Sequence, residues 1–138
     1  LVRTQVTQPE APEDGEFGKI MSLHKSKGLT SRVVIVAGCI EGLCPNHIKN
    51  ATITEQQRNL EEQRRLFYVA ITRCKEILVL SSVAKLETAI AYKIGASVSG
   101  NRSVKRTMAS RFIQELGPSA PKAIAGRNWA KSGFRFDL

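Results

Sequence analysis

The chain has 138 residues, 42% of them hydrophobic, with 21 Lys and Arg against 12 Asp and Glu for a formal charge of +9. That length fits one domain or part of one with an ordinary core, and no run approaches the ~18–20 apolar residues of a membrane span. Residues 1–18 lack the basic start and apolar middle of a secretory signal, so a soluble, cytoplasmic protein with no membrane partner is expected.

The cationic excess favours polyanions, because each Lys or Arg placed on a phosphate releases condensed counterions. Composition leaves DNA, RNA, an acidic partner and a merely solvated basic surface all open. Cys39, Cys44 and Cys74 form an odd set without a disulfide pattern. Cys39, Cys44 and His47 raise the question of zinc, but a structural site takes four ligands, often with a paired Cys-x2-Cys. The fourth ligand is missing and the spacing is wrong, so reduced, partly buried thiols and no metal site are expected.

In chain order, residues 1–18 read as a linker punctuated by Pro9, Pro12, Gly15 and Gly18. A short strand is predicted at Lys19–Leu23, then a glycine-bearing turn at His24–Thr30. Arg32–Gly38 is a continuous β-branched run, which predicts a strand covered on both faces, as in an α/β sheet. Cys39–Ile53 is irregular, broken by Gly42 and Pro45. A helix is predicted from about Thr54 to Arg73, with Thr54 and Gln57 resembling a capping box. Leu60, Phe67 and Ile71, with Leu66 and Ala70 beside them, form its core-facing stripe. Glu61 and Arg65 are an i,i+4 pair of favourable polarity. Glu76–Ser82 reads as a second buried strand.

Strand, turn, strand, loop, long helix, strand is the order of a parallel or mostly parallel sheet flanked by helices. Beyond it, Leu86–Ile94 is predicted as a short helix and Val98–Arg106 as a basic loop. Ala109–Leu116 reads as a helix ended by Gly117-Pro118. The tail over residues 117–138 is rich in Pro, Gly, Lys and Arg and is expected to be loosely ordered.

Two segments carry chemistry. Ile20–Leu29 offers Ser22, His24, Lys25, Ser26, Lys27 and the flexible backbone of Gly28 in one short loop. Lysines and hydroxyls can hold phosphate oxygens, and glycine lets main-chain N–H groups approach them. Such a set at a strand end sits where α/β sheets bind ligands, although a solvated basic turn has the same composition. The second segment, Glu61–Arg73, ends on an arginine behind an apolar helix face, with Leu66, Ala70 and Arg73 at i, i+4 and i+7. A guanidinium held in a defined place suits a phosphate clamp; a helix-terminal arginine favoured by the dipole is the plainer alternative.

Together these segments resemble motifs V and VI of the UvrD/Rep/PcrA-like superfamily 1 DNA helicases. Ser22, His24, Lys27, Gly28 and Leu29 fit the Thr-x-His-x-x-Lys-Gly-Leu-Glu pattern of motif V. Glu61, Glu62, Arg64, Arg65, Leu66, Tyr68, Val69, Ala70, Thr72 and Arg73 fit motif VI. Glu41-Gly42-Leu43-Cys44-Pro45 is similar to the family's Glu-Gly-x-x-Pro loop, and Ser110–Leu116 to the segment after motif VI. The resemblance covers Lys19–Leu116 and implies an α/β fold, an incomplete RecA-like (P-loop NTPase-type) domain. Residues 1–18 are then a linker or the end of an inserted subdomain, and 19–116 the C-terminal part of a second RecA-like domain.

By that resemblance Arg73 contacts the γ-phosphate of ATP as the catalytic arginine finger, while Lys27, Gly28 and Thr30 lie near the nucleotide. Ser22 and His24 face single-stranded DNA. Thr30 stands where the family has Glu near the nucleotide sugar, and it offers a hydrogen bond but no charge. The implied cofactor is ATP with Mg2+ in the intact enzyme, with none bound tightly by these residues alone. Implied partners are single-stranded DNA or DNA junctions and the upstream RecA-like domain of the same polypeptide. The implied setting is bacterial-type and nucleoid-associated.

ATP hydrolysis of this type needs a Gly-x4-Gly-Lys-Ser/Thr loop and an acidic Mg2+ ligand. Neither occurs here; Gly15–Lys19 has the wrong spacing and no following hydroxyl. The chain alone is therefore expected not to hydrolyse ATP. A non-enzymatic nucleic-acid-binding module and a protein-interaction domain with a helicase-like fold are the alternatives.

Overall fold

The β-branched run forms β1, Ser31–Val36, in a computed structural model that describes residues 18–132. Its partner is β2, Cys74–Leu80. The two run parallel, with Val34 opposite Leu78, Ile35 opposite Val79 and Val36 opposite Leu80. Parallel neighbours need a long crossover, supplied by the helix α1, Ile53–Ile71. Val36 joins Cys39, Phe67, Ala70 and Phe112 in the main core, with Val34, Leu60, Ile71 and Leu80 packed against it. The rings of Phe67 and Phe112 lie 5.3 Å apart.

Side chains alternate across a strand, so Val33, Ile35, Ile77 and Val79 share the other face. Ile35 there is 56% exposed. The expected cover on both faces is thus met on one, because the described residues supply one layer of helix. The strand predicted at Lys19–Leu23 is absent as well. Ile20 is fully exposed, no described segment offers it a ladder, and a 3-10 turn begins at Leu23.

The helix start differs from the sequence reading by two residues. Thr52, not Thr54, is the N-cap, and its partner is Glu55 rather than Gln57. The Thr52 amide donates to Glu55 Oε2 at 2.7 Å while the Glu55 amide donates to Thr52 Oγ1 at 3.3 Å. A carboxylate is the stronger acceptor at a helix amino terminus, where backbone N–H groups lack partners.

The second half departs further. β3, Lys85–Glu87, precedes α2, Thr88–Ile94, which is shorter than the predicted Leu86–Ile94 helix. The stretch read as a basic loop is a hairpin of β4, Val98–Ser99, and β5, Val104–Thr107. These three strands form an antiparallel sheet in the order β3-β5-β4. Among the described residues the sheets are therefore one parallel pair plus one antiparallel trio, and "mostly parallel" does not describe them. A small core of Ile40, Ala91 and Ala96, with Leu86 and Val98 against it, holds the trio to α2.

Glu41 and Gly42 join the halves. The Ser97 amide donates to the Glu41 carbonyl at 2.8 Å. Gly42, at φ +87°, lies so close to Gly95 that an added Cβ would meet its carbonyl oxygen at 2.1 Å. α3 is a single turn, Arg111–Gln114, capped by Ser110, and Gly117 follows at φ +84°. Part of the tail expected to be loose forms α4, Gly126–Lys131; Gly126 stands at its first position, where glycine interrupts little. The predicted linker up to residue 17 and the tail from 133 lie outside the described residues. Among the described residues no helix is long and apolar enough to cross a membrane.

Candidate functional site

Both motif segments meet at one edge of the parallel pair. Ser31 opens β1 opposite Cys74, which opens β2, and the Ser31 amide donates to the Arg73 carbonyl at 3.0 Å. The end of the His24–Thr30 loop and the turn carrying Arg73 are thereby tied through main chain. This edge holds the amino ends of β1 and β2. The expectation of a strand carboxyl end is corrected, because the strand that would have preceded the loop does not form.

Within the loop, Leu23 packs against the main core and anchors the 3-10 turn Leu23–Ser26. The Lys25 amide donates to the Ser22 carbonyl at 3.0 Å, and the Leu29 amide to the Ser26 carbonyl at 3.2 Å. Ser26 spends its hydroxyl on the Leu23 carbonyl at 2.6 Å. Ser22, His24, Lys25, Lys27, Gly28 and Thr30 are exposed. Gly28 adopts φ +86°, and a Cβ there would meet nothing within 4 Å. Its glycine answers a left-handed turn rather than a close neighbour within these residues.

Arg73 follows Thr72, the C-cap of α1, and is half-buried. Its amide donates to the Ala70 carbonyl at 3.2 Å, and its Nε donates to the Val69 carbonyl at 3.2 Å. One nitrogen reaches the Thr72 hydroxyl only at 3.5 Å, a distance too long to count for much. Among the described residues no carboxylate pairs with Arg73. The contrast with Arg32, Arg64 and Arg111 is sharp, since these hold Glu76, Glu115 and Glu41. Thr30 precedes the amide bonded to Arg73; Lys27 and Gly28 lie one turn back, and Ser22 and His24 at the start of the 3-10 turn. No side-chain hydrogen bond joins the two segments among the described residues.

Sequence reasoning missed two ion pairs that tie the Glu41 loop and α1 to the α3 segment. Glu41 is 5% exposed, and Arg111 gives it a main-chain bond at 2.6 Å and guanidinium bonds at 3.0–3.2 Å. Burial alone pushes the Glu41 carboxyl up, but the hydrogen bonds and charge of Arg111 outweigh it and hold the group below its usual range. Arg64, on α1, donates to both Glu115 oxygens at 2.7 and 2.9 Å and lies 5.7 Å from the Phe112 ring centre. Arg64 thus makes the long-range ion pair, not the Arg65 expected to pair with Glu61. A hydrophobic period shows which face of a helix is buried, but it carries no signal of a partner 51 positions away.

The thiol of Cys39 donates to the Val36 carbonyl at 3.4 Å, and burial pushes it up to about 11. Among the described residues no three His, Cys, Asp or Glu side chains gather as a metal centre would need. A hollow of about 230 Å3 lies between Pro45–His47, Gln56, Gln57, Leu60 and Arg111, near the amino end of α1 and away from Arg73.

Residues 9–85, more than half of the chain, match the family described as the UvrD-like helicase C-terminal domain. The chain is 42% identical to YjcD of Bacillus subtilis over 99 residues, 71% of this chain and 11% of that protein. It is 36% identical over 103 residues to the ATP-dependent DNA helicase Rep of Buchnera aphidicola, 75% of this chain and 13% of Rep. With the ATP-dependent DNA helicase PcrA of Staphylococcus epidermidis it shares 36% over 97 residues, 70% of this chain and 11% of PcrA. The aligned region is 11–13% of the length of these relatives.

Proposed function

The chain belongs to the UvrD-like helicase C-terminal domain family, and we propose from this that it is the nucleotide-answering part of the second RecA-like domain of an ATP-dependent DNA helicase. The observation that carries the reading is the Ser31–Arg73 main-chain bond, which couples the motif V loop to the motif VI arginine.

In this reading Arg73 extends its guanidinium to the γ-phosphate of ATP held by the upstream RecA-like domain. An arginine supplied across such a cleft is worth about 10³–10⁵ in rate. Having no carboxylate partner among the described residues, Arg73 does not have to break an ion pair to reach phosphate. Lys27 and the Gly28 amide lie along the same cleft, and Thr30 offers a neutral hydroxyl where the family has Glu. Ser22 and His24, at the start of the turn, contact single-stranded DNA, alone or at a junction. A shift that brings Arg73 toward phosphate is passed to the loop through the Ser31 amide, and so to the strand. Hydrolysis removes the anionic bridge, the domains part, and the grip on DNA changes.

The donor set fits phosphate oxygens and not Mg2+. Neither Ser22–Ser31 nor Thr72–Cys74 contains a carboxylate, so the metal's ligands belong to the other half of the cleft. The 138 residues alone therefore bind no ATP tightly and do not hydrolyse it, and the working enzyme is cytoplasmic and nucleoid-associated.

The test is a double dissociation in the full-length polypeptide. Lys27→Ala should weaken nucleotide binding more than DNA binding, and His24→Ala the reverse. Equal effects of both variants on both ligands would remove the two-sided role of the loop. The charge of +9 favours one second reading, a non-enzymatic nucleic-acid-binding module; a phosphate-binding loop upstream in the same polypeptide excludes it.

A further inference from the structure

The short helix α2 presents a surface that takes no part in the site above. Ala91 pins one side of it into the small core with Ile40 and Ala96. Ile90, Tyr92 and Ile94 are 44%, 66% and 37% exposed, so three of the seven residues of Thr88–Ile94 are large apolar groups in contact with solvent. Single exposed apolar residues need no explanation, whereas several gathered on one element mark a binding surface. We propose that the solvent face of α2, with Lys105 of β5 beside it, docks a short acidic segment of a partner protein, one that carries apolar side chains among its carboxylates.

Helical spacing gives this face two sides. Ile90 and Ile94 stand one turn apart and form a single apolar strip. At about 100° of rotation per residue, Tyr92 lies on the other flank of Ala91, and the exposed Ala89 and Lys93 fill the solvent side between them. Register brings Lys105 to the Tyr92 side. Lys105 is directly opposite Leu86, directly opposed residues share a face, and Leu86 packs against the Ala91 core. Lys105 Nζ donates to the Tyr92 phenol oxygen at 2.9 Å and stands 4.8 Å from the ring centre.

That pairing makes an anion site of defined geometry. A phenol oxygen that accepts from Lys105 keeps its own O–H to donate, and the ammonium has further N–H bonds to give. The ion pairs among the described residues include neither Lys93 nor Lys105. A carboxylate between the Tyr92 hydroxyl and Lys105 meets both donors, and Lys93 adds a further cation. Ile90 and Ile94 offer a phosphate nothing, and they gain by leaving water only against another apolar side chain. A peptide that carries both kinds of group fits the surface better than a nucleic acid does. An α-helix is about 10 Å across, about three residues of extended chain, so the docked segment has an acidic and an apolar residue about three positions apart.

The experiment measures binding of two fluorescein-labelled peptides of equal charge to the full-length polypeptide by anisotropy: four repeats of Glu-Glu-Leu, and four repeats of Glu-Glu-Gly. The leucine peptide should bind about tenfold more tightly. Ile90→Ser/Ile94→Ser should abolish that preference by weakening the leucine peptide alone. Tyr92→Phe keeps the ring and removes the hydroxyl, so it should weaken both peptides about fivefold; it decides the matter by itself if the double variant melts. Lys49→Ala/Arg58→Ala, exposed cations elsewhere, should leave both affinities near the parent's. Equal binding of the two peptides by the parent, binding of neither, or a preference that survives in Ile90→Ser/Ile94→Ser overturns the proposal. So does an equal loss of affinity for oligothymidylate in that variant, which makes the surface one for nucleic acid. Binding to phosphatidylglycerol vesicles that the variant loses overturns it in favour of a lipid surface, and a dimer that the variant dissolves overturns it in favour of a second copy.

Discussion

The amide of Ser31 and the carbonyl of Arg73 are 3.0 Å apart, so the first residue of β1 is bonded to the residue just before β2. That link uses main chain only and survives removal of the arginine side chain. Among the described residues the guanidinium makes one internal bond of normal length, to the Val69 carbonyl, and an ordinary hydrogen bond contributes about 0.5–1.5 kcal/mol net. Arg73→Ala should thus cost no more than about 1.5 kcal/mol of folding stability. Urea denaturation of parent and variant checks it; a larger loss would make Arg73 a structural residue.

Gly28 and Gly42 both adopt left-handed backbone, yet alanine should affect them differently. At Gly42 the new Cβ meets the Gly95 carbonyl oxygen at 2.1 Å and the Ser97 amide nitrogen at 2.6 Å. Overpacking and backbone strain together predict a loss of about 3 kcal/mol or more. At Gly28 only the strain remains, about 1–2 kcal/mol, because the space around it is open. If Gly28 lines the nucleotide cleft as proposed, affinity for nucleotide in the full-length protein should fall in Gly28→Ala beyond what its melting temperature explains.

Acid should unfold the chain partly through Glu41. Arg111 holds its carboxyl below the usual range in the folded state. Its contribution is therefore complete above the unfolded carboxylate value, about 4.3, and is lost as pH falls through the lower folded value. Glu115, lowered by Arg64, acts in the same direction. Removing one partner of a buried pair costs about 3–5 kcal/mol. The Arg111 side chain is 44% exposed, so Glu41→Gln should cost about half that at pH 7. Denaturation midpoints between pH 3 and 7 should show a shallower acid dependence in Glu41→Gln than in the parent.

Helix capping separates two threonines that look alike in sequence. Thr52→Ala removes the cap of α1 and should cost about 1 kcal/mol. Thr54→Ala, inside an exposed first turn, should stay within about 0.5 kcal/mol of the parent. Thermal melts of the two variants decide it.

The capping box also shows where sequence reading works and where it stops. Thr52–Glu55 and Thr54–Gln57 both satisfy the spacing, and only the geometry selects the carboxylate. The parallel pair is legible because Val33–Val36 and Ile77–Leu80 are unbroken apolar runs, and α1 because the Leu60–Ile71 stripe repeats at helical spacing. β3, β4 and β5 have two to four residues each, and Lys105-Arg106 masks what alternation they have. The loop's donors and Arg73 are legible as chemistry, whereas their meeting at the amino ends of β1 and β2 follows from a register no single segment encodes. The Glu41–Arg111 and Arg64–Glu115 pairs span 70 and 51 positions and have no local signature at all.

The central claim, that Arg73 supplies charge to ATP from this domain, is tested most directly in the full-length polypeptide with Arg73→Ala. Steady-state ATP turnover and equilibrium binding of a fluorescent ATP analogue are measured on the same preparation. Turnover should fall by about 10³-fold or more while analogue binding stays within a few-fold of the parent. Turnover that survives in a folded variant would contradict the account.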